Sequence, residues 1–237
     1  MHSSAQLNME NFFSVYLKKF NNPNILDFGS QSLSDHIGAK NVLNKMNINY
    51  EYTGLDIEKG NNVDIVLKDP YIFKEIPDST YDVVISTSVL EHVEFFWLTY
   101  LEILRILKPN GLFYFNAPSN GDFHRWPQDC WRFYPDSGNA LINWAKRNNY
   151  KPILLESFVS DQYLECAWND YVSVTLKDET YLTTYNDRII YKNKKFLNGI
   201  DHNKKIYNFS NKSEDHKNWG FRLWYKFRKK IDKLKRS

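Results

Sequence analysis

The stretch Tyr81-Asp-Val-Val-Ile-Ser-Thr-Ser-Val-Leu-Glu-His-Val93 decides how the rest of the chain is read. Its first half is an apolar run broken only by Asp82, the pattern of a strand covered on both faces. Ser86-Thr87-Ser88 supplies a polar turn, and a helix follows that opens with Glu91 and His92. Nearer the N-terminus, Asn24-Ile-Leu-Asp-Phe-Gly-Ser-Gln-Ser32 shows the same order of apolar strand and small polar loop. Two such junctions in one α/β domain open on the same edge of a sheet, where open α/β folds take up their ligands.

Working outward, residues 5–20 read as a leading helix, with Leu7, Phe12, Phe13, Tyr16, Leu17 and Phe20 near helical spacing. Asn21-Asn-Pro-Asn24 breaks it. Strands are predicted at 24–28, 51–56, 63–67, 81–86 and 111–117, with a short turn of helix within 69–77. Residues 88–107 form the main helix, with Leu90, Val93, Trp97, Leu101, Leu104 and Leu107 as its apolar stripe. Ser88-Val-Leu-Glu91 fits a capping box, and Lys108-Pro-Asn-Gly111 reads as the turn that stops the helix. A polar, aromatic loop spans 118–134, a helix 136–148, and two strands 151–159 and 170–177. These last two have no clear helix between them, which suits an antiparallel pair. The alternation of strand and helix predicts a mainly parallel sheet with helices on both faces. Residues 178–220 lose the pattern, and 219–234 regains one as a basic amphipathic helix.

The chain has 237 residues, with apolar and aromatic content ample for a core, and only two cysteines, Cys130 and Cys166. Two are too few for a disulfide framework. The N-terminus lacks the charged start and apolar core of a signal peptide, and no apolar run approaches the ~20 residues that span a membrane. A cytoplasmic protein is expected. The net charge of +3 is unevenly placed. Of 31 basic residues, eight lie in 222–237 beside Asp232 alone, leaving 23 basic against 27 acidic residues elsewhere. The body is mildly acidic, which argues against a nucleic-acid partner. The basic tail, 219–236, suits packing on the domain first, contact with an anionic membrane at its inner face second, and an RNA backbone third.

With the strand order, the Asp27-Phe-Gly-Ser-Gln loop, Asp56 and Leu90-Glu-His-Val93 in place, the chain resembles the class I S-adenosylmethionine-dependent methyltransferases, and within them the branch called methyltransferase type 11. The resemblance covers roughly residues 20–177. The loop 118–138, with Phe123-His-Arg-Trp-Pro-Gln-Asp-Cys-Trp-Arg-Phe-Tyr134, looks like members linked to surface-glycan biosynthesis. The resemblance implies a Rossmann-like, seven-stranded, mostly parallel sheet with a reversed terminal β-hairpin. It also implies a methyltransferase domain over 1–177 and a C-terminal extension over 178–237.

Each segment then has a chemical task. Asp27 meets the cofactor ammonium, while Gly29, Ser30, Gln31 and Ser32 wrap its amino-acid moiety. Asp56 accepts the ribose hydroxyls, with Ile57 beside it. Lys68 and Asp69 stand at the adenine edge, and Ser86, Thr87 and Ser88 line the pocket. The loop carries one glycine where the family has two or three, a departure from its pattern and from the Gly-x-Gly-x-x-Gly of nicotinamide enzymes. His92 lies beside the position that the family uses to face the sulfonium and, at a helix N-terminus, tends to stay neutral. On the acceptor side His124 is the general base by residue type, and Asp129 orients it or acts itself. Arg125 and Arg132 can clamp an anionic acceptor, and Trp126, Trp131 and Tyr134 offer flat faces to a sugar ring. Arg132 and Asp129, three apart, can equally pair to brace the loop. No metal is expected. Methyl transfer from S-adenosylmethionine, giving S-adenosylhomocysteine, to an oxygen of a small, glycan-related acceptor is the expected reaction. The rivals are a non-catalytic cofactor-binding scaffold and a nucleic-acid methyltransferase, the latter disfavoured because no Asn-Pro-Pro-Tyr-like motif follows the fourth strand.

Overall fold

The computed structural model describes residues 2–32, 38–46, 48–161, 168–211, Leu223 and Phe227. In chain order the elements are α1 (Ser3–Tyr16), β1 (Asn24–Phe28), α2 (Ala39–Asn44), β2 (Glu51–Asp56), β3 (Ile65–Val66), β4 (Tyr81–Thr87), α3 (Phe96–Ile106), β5 (Leu107–Pro118), α4 (Asp136–Arg147), β6 (Ile153–Ser160), β7 (Asp170–Leu176), α5 (Ile189–Lys192), β8 (Phe196–Asp201) and β9 (Ile206–Tyr207). Among the described residues one sheet holds all nine strands in the order β3-β2-β1-β4-β5-β7-β6-β8-β9. Strands β1 to β5 are parallel, and β7 enters antiparallel between β5 and β6. This is the expected mostly parallel, Rossmann-like sheet with a reversed hairpin, but with nine strands rather than seven. Strands β8 and β9 extend it beyond β6, so the hairpin is not terminal. The chain leaves β1 toward β2 and β4 toward β5, so the switch point lies between β1 and β4, where Phe28 pairs with Ser86.

Alternating side chains of each strand build two cores. Ile25, Val83, Ile85, Leu112 and Tyr114 face α1 and α2, where Phe12, Phe13, Tyr16, Val42 and Leu43 cover them. Leu26, Val84, Phe113 and Phe115 face the other way, under Tyr100, Ile103 and Leu104 of α3 and Leu141 and Ala145 of α4. A period of two in the strands thus meets helical stripes on both faces.

Five local expectations need correction. The predicted helix at 88–107 is broken: Leu90–His92 is a 3-10 turn, and α3 begins only at Phe96 without a side-chain cap. The carbonyls that a continuous helix would use are taken by the loop at 128–131. Cys130 and Trp131 N–H donate to the Glu91 carbonyl, and the Gln128 amide donates to the His92 carbonyl. The capping box therefore does not form. Residues 108–111 end α3 as predicted but belong to β5: Tyr81 pairs with Leu107 and Val83 with Leu112, so the strand accommodates three extra residues there. Residues 69–77 contain turns rather than helix, and the third strand shortens to Ile65–Val66.

The boundary at 177 is not a break in packing. β8 pairs antiparallel with β6, and β9 with β8. Tyr185, Ile189, Ile190 and Phe196 enter the α1-side core. Glu156, fully buried on β6, accepts N–H bonds from Ile189 and Ile190, both at 2.9 Å, and a hydrogen bond from Tyr16 of α1. The guanidinium of buried Arg188 donates to the Leu155 carbonyl at 2.9 Å and to the carbonyls of Tyr185 and Asp187. The basic amphipathic segment 219–236 lies outside the described residues apart from Leu223 and Phe227, both helical. No helix among the described residues is long and apolar enough to cross a membrane.

Candidate functional site

Gly29 follows β1 with φ +83° and Ser88 follows β4 with φ +58°. A Cβ on Gly29 would lie 2.1 Å from Val89 Cγ2, so the two loops approach as closely as backbone allows. The left-handed conformation at Ser88, a non-glycine residue, is strain of the kind that folds retain at functional positions. Gly29 and Ser30 N–H groups donate to the Leu55 carbonyl at 2.8 and 3.2 Å, which ties the loop to β2.

Around this junction lie polar groups that the protein does not satisfy. The hydroxyls of Ser30, Ser86, Thr87 and Ser88 are buried without a hydrogen-bond partner among the described residues. Native interiors leave few such groups, and these cluster at one sheet edge, able to bond a polar ligand. Two carboxylates lie at the same edge. Asp27 is 7% exposed and accepts from Tyr52 hydroxyl at 2.7 Å; burial pushes its carboxyl up to about 6. Asp56 accepts the N–H of Gln31 at 3.0 Å and of Ile57 at 2.7 Å. Ile57 is exposed beside it. Ser32 is engaged elsewhere, accepting from the Asn62 amide at 2.7 Å. Lys68 is exposed, and Asp69 accepts the Tyr71 N–H at 2.8 Å, an ordinary turn bond.

The loop between β5 and α4 is pinned onto the Leu90–His92 turn. Glu91 is fully buried, and neither carboxyl oxygen accepts a hydrogen bond from another described residue. Burial pushes it up to about 8. It is not a helix cap; its side chain turns into the site. His92 Nδ1 hydrogen-bonds the Gln128 carbonyl, and its Nε2 stands 3.7 Å from Glu91 Oε1. Burial, rather than a helix terminus, lowers the affinity of His92 for a proton. The His92 and His124 rings meet edge to face with centroids 5.0 Å apart. His124 Nδ1 lies 3.2 Å from the Asp122 carbonyl and 3.5 Å from Asp129 Oδ2.

Asp129 and Arg132 form a two-pronged pair at 2.5 and 2.8 Å, and Arg132 holds the Asp129 carboxyl down at about 2. Asp129 Oδ2 also accepts the His124 backbone N–H at 2.8 Å and lies 3.5 Å from the ring Nδ1 of His124. Arg132 also donates to the Asp122 and Trp131 carbonyls, so it braces the loop rather than standing free as an anion clamp. Arg125 is exposed, with only Nε bonded, to the Pro127 carbonyl at 3.1 Å. Trp131 bonds the Val93 and Glu94 carbonyls and packs on Phe96 and Trp97, while Trp126 and Tyr134 are exposed.

The strand order and reversed β7 define a Rossmann-like α/β fold of the kind seen in solved methyltransferase structures. Residues 37–115, a third of the chain, match the family described as Methyltransferase domain. That segment contains Asp56 and Ser86–His92 and stops short of both the Asp27–Ser32 loop and the loop around His124. No curated protein matches the chain. Among solved structures, the [4+2]-cyclase SpnF is 13% identical, with 73% of this chain and 81% of that one aligned at a TM-score of 0.51. The 1,6-didemethyltoxoflavin-N1-methyltransferase of Burkholderia thailandensis, solved with S-adenosylhomocysteine, is 12% identical over 74% of this chain and 79% of that one, with a TM-score of 0.51. The YcgJ protein of Bacillus subtilis is 13% identical over 75% of this chain and 100% of that one, with a TM-score of 0.52.

Proposed function

We propose that the protein transfers the methyl group of S-adenosylmethionine to an oxygen of a small, glycan-related acceptor: a sugar, a sugar nucleotide or a phosphoryl precursor of a surface polysaccharide. The observation that carries the cofactor half is the cluster of hydroxyls at Ser30 and Ser86–Ser88, unpartnered among the described residues, at the same sheet edge as the carboxylates of Asp27 and Asp56. Asp27 takes the ammonium, Asp56 the ribose hydroxyls, and the serine and threonine hydroxyls the polar atoms between. The departing thioether is neutral and needs no acid, so the protein's work is alignment of the nucleophile and removal of its proton. His124, oriented by Asp129, is the group for that proton, and the exposed faces of Trp126 and Tyr134 with Arg125 suit a sugar bearing negative charge. The experiment is incubation of candidate glycan precursors with S-adenosylmethionine and mass spectrometry for the gain of one CH2. Gain on an amine or carbon acceptor, with none on hydroxyls, contradicts the oxygen assignment.

Two further outcomes are expected. His124→Ala lowers kcat by roughly 100-fold or more, the usual worth of a general base, while calorimetry gives an unchanged affinity for S-adenosylhomocysteine. The second concerns pH. Only ionised Asp27 pairs with the ammonium, and its carboxyl sits near 6. Affinity should be flat above neutrality and fall by about tenfold between pH 7 and pH 5. A flat titration over that range removes Asp27 from the ammonium site. In the free protein the same upward shift works the other way. Asp27 contributes to stability at acid pH and loses that contribution as pH rises from 3.8 through about 6.

A further inference from the structure

We propose that Glu91, His92 and His124 bind one divalent first-row transition-metal ion, of which Zn2+ is the best match, on the acceptor side of the cofactor pocket. One ligand-capable atom from each of the three lies within 4.8 Å of the others. Two come from the Leu90–His92 turn and the third from a loop pinned to it by the bonds of Gln128, Cys130 and Trp131.

The chemistry of the donors points to a cation. Glu91 is a carboxyl group with no exposed surface and, among the described residues, no hydrogen-bond partner. His92 gives its Nδ1 proton to the Gln128 carbonyl, which leaves a lone pair on Nε2, 3.7 Å from Glu91 Oε1. Two electron-pair donors that face each other in an interior require a proton or a cation between them. His124 Nδ1 lies beside the Asp122 carbonyl at 3.2 Å, with the Asp129 carboxylate and the Arg132 guanidinium both at 3.5 Å. The nearer carbonyl favours the Nδ1–H tautomer, which leaves Nε2 as the open nitrogen. A carbonyl or carboxylate behind the far nitrogen is how metal-bound imidazoles are fixed in tautomer and orientation. Arg132 is the nearby positive charge, and Asp129 neutralises it through both prongs. Two imidazoles and one carboxylate suit Zn2+ and its neighbours; Mg2+ and Ca2+ prefer oxygen. Metal bonds near 2.1 Å draw ligands to roughly 3.5 Å of one another, and the half-exposed His124 has the freedom to close that distance.

Three protein ligands leave a coordination position open. On the methyltransferase reading, that position would take the acceptor oxygen and lower the pKa of its hydroxyl. Nitrogen Nε2 of His124 cannot hold an ion and accept a proton together, so in the loaded protein the cation replaces His124 as the activating group.

The test uses the full chain, stripped with a chelator and dialysed. Zn2+ is titrated by calorimetry and Co2+ by visible absorption, alongside the isosteric Glu91→Gln and the loop variant His124→Ala. One equivalent of Zn2+ and a Co2+ d–d band are expected, with each variant weakening Zn2+ by about 100-fold or more and abolishing the band. No saturable binding, or binding unchanged in the Glu91→Gln/His124→Ala double variant, overturns the site. Titration of S-adenosylhomocysteine into the same proteins separates the two readings. Metal binding without cofactor binding contradicts the methyltransferase assignment and leaves the metal site standing; cofactor binding without metal does the reverse.

Discussion

Asp56→Ala is expected to weaken S-adenosylhomocysteine binding by about 100-fold or more. A hydrogen bond to a charged acceptor contributes about 1.5–3 kcal/mol, and both ribose hydroxyls would donate to this carboxylate. Loss of the two together exceeds about 2.8 kcal/mol, which is two decades of affinity. Asp56 also holds the N–H groups of Gln31 and Ile57, so part of the loss will come from a loosened loop. Asp56→Asn separates the contributions. It keeps one carbonyl oxygen and the side-chain shape, and should cost only about tenfold, the share of one charged acceptor bond. Calorimetry measures both, with thermal melting of the free proteins as the control for folding. An affinity in Asp56→Ala within threefold of the parent would remove the ribose assignment.

Glu156→Ala is expected to destabilise the fold by about 3–5 kcal/mol, the range for removing one member of a buried charged network. The variant leaves Ile189 N–H, Ile190 N–H and the Tyr16 hydroxyl without their acceptor inside the α1-side core. The positive charge of buried Arg188 also loses the nearby carboxylate. Glu156→Gln keeps an acceptor oxygen and should lose less. Urea unfolding gives the difference. Because β8 and α5 hang on this residue, an accompanying drop in the denaturant m-value would indicate that 179–207 unfold from the sheet before the rest. A loss under about 1 kcal/mol in Glu156→Ala would mean that this segment is held by apolar contacts alone.

The parallel half of the sheet was legible because its signals are local. Asn24–Phe28 and Glu51–Asp56 emerge with the bounds read from their apolar runs and their closing aspartates, and Asp170–Leu176 differs by one residue. Strands β8 and β9 were not legible. They form the sheet's edge, where Asn198, Gly199 and the Asn-Lys-rich flanks resemble loop, and only pairing with β6 makes them strands. Pro109-Asn-Gly111 reads locally as a turn, yet the register of β4 draws it into β5.

The site divides along the same line. Asp27, Asp56 and Ser86–Ser88 lie at the C-terminal ends of β1, β2 and β4, so topology alone places them at one edge. Glu91 was misread because Ser88-Val-Leu-Glu91 satisfies a local capping pattern, while what decides its fate is backbone from residues 128–131. No short-range signal carries that contact. The pairing of Asp129 with Arg132 was one of two open alternatives at three-residue spacing, and their geometry favours the brace.

Titration of the full chain with S-adenosylhomocysteine tests the central claim most directly. One equivalent bound at micromolar ligand, lost in Asp56→Ala, is the predicted result. The absence of saturable heat and of any rise in melting temperature at millimolar ligand would contradict the account.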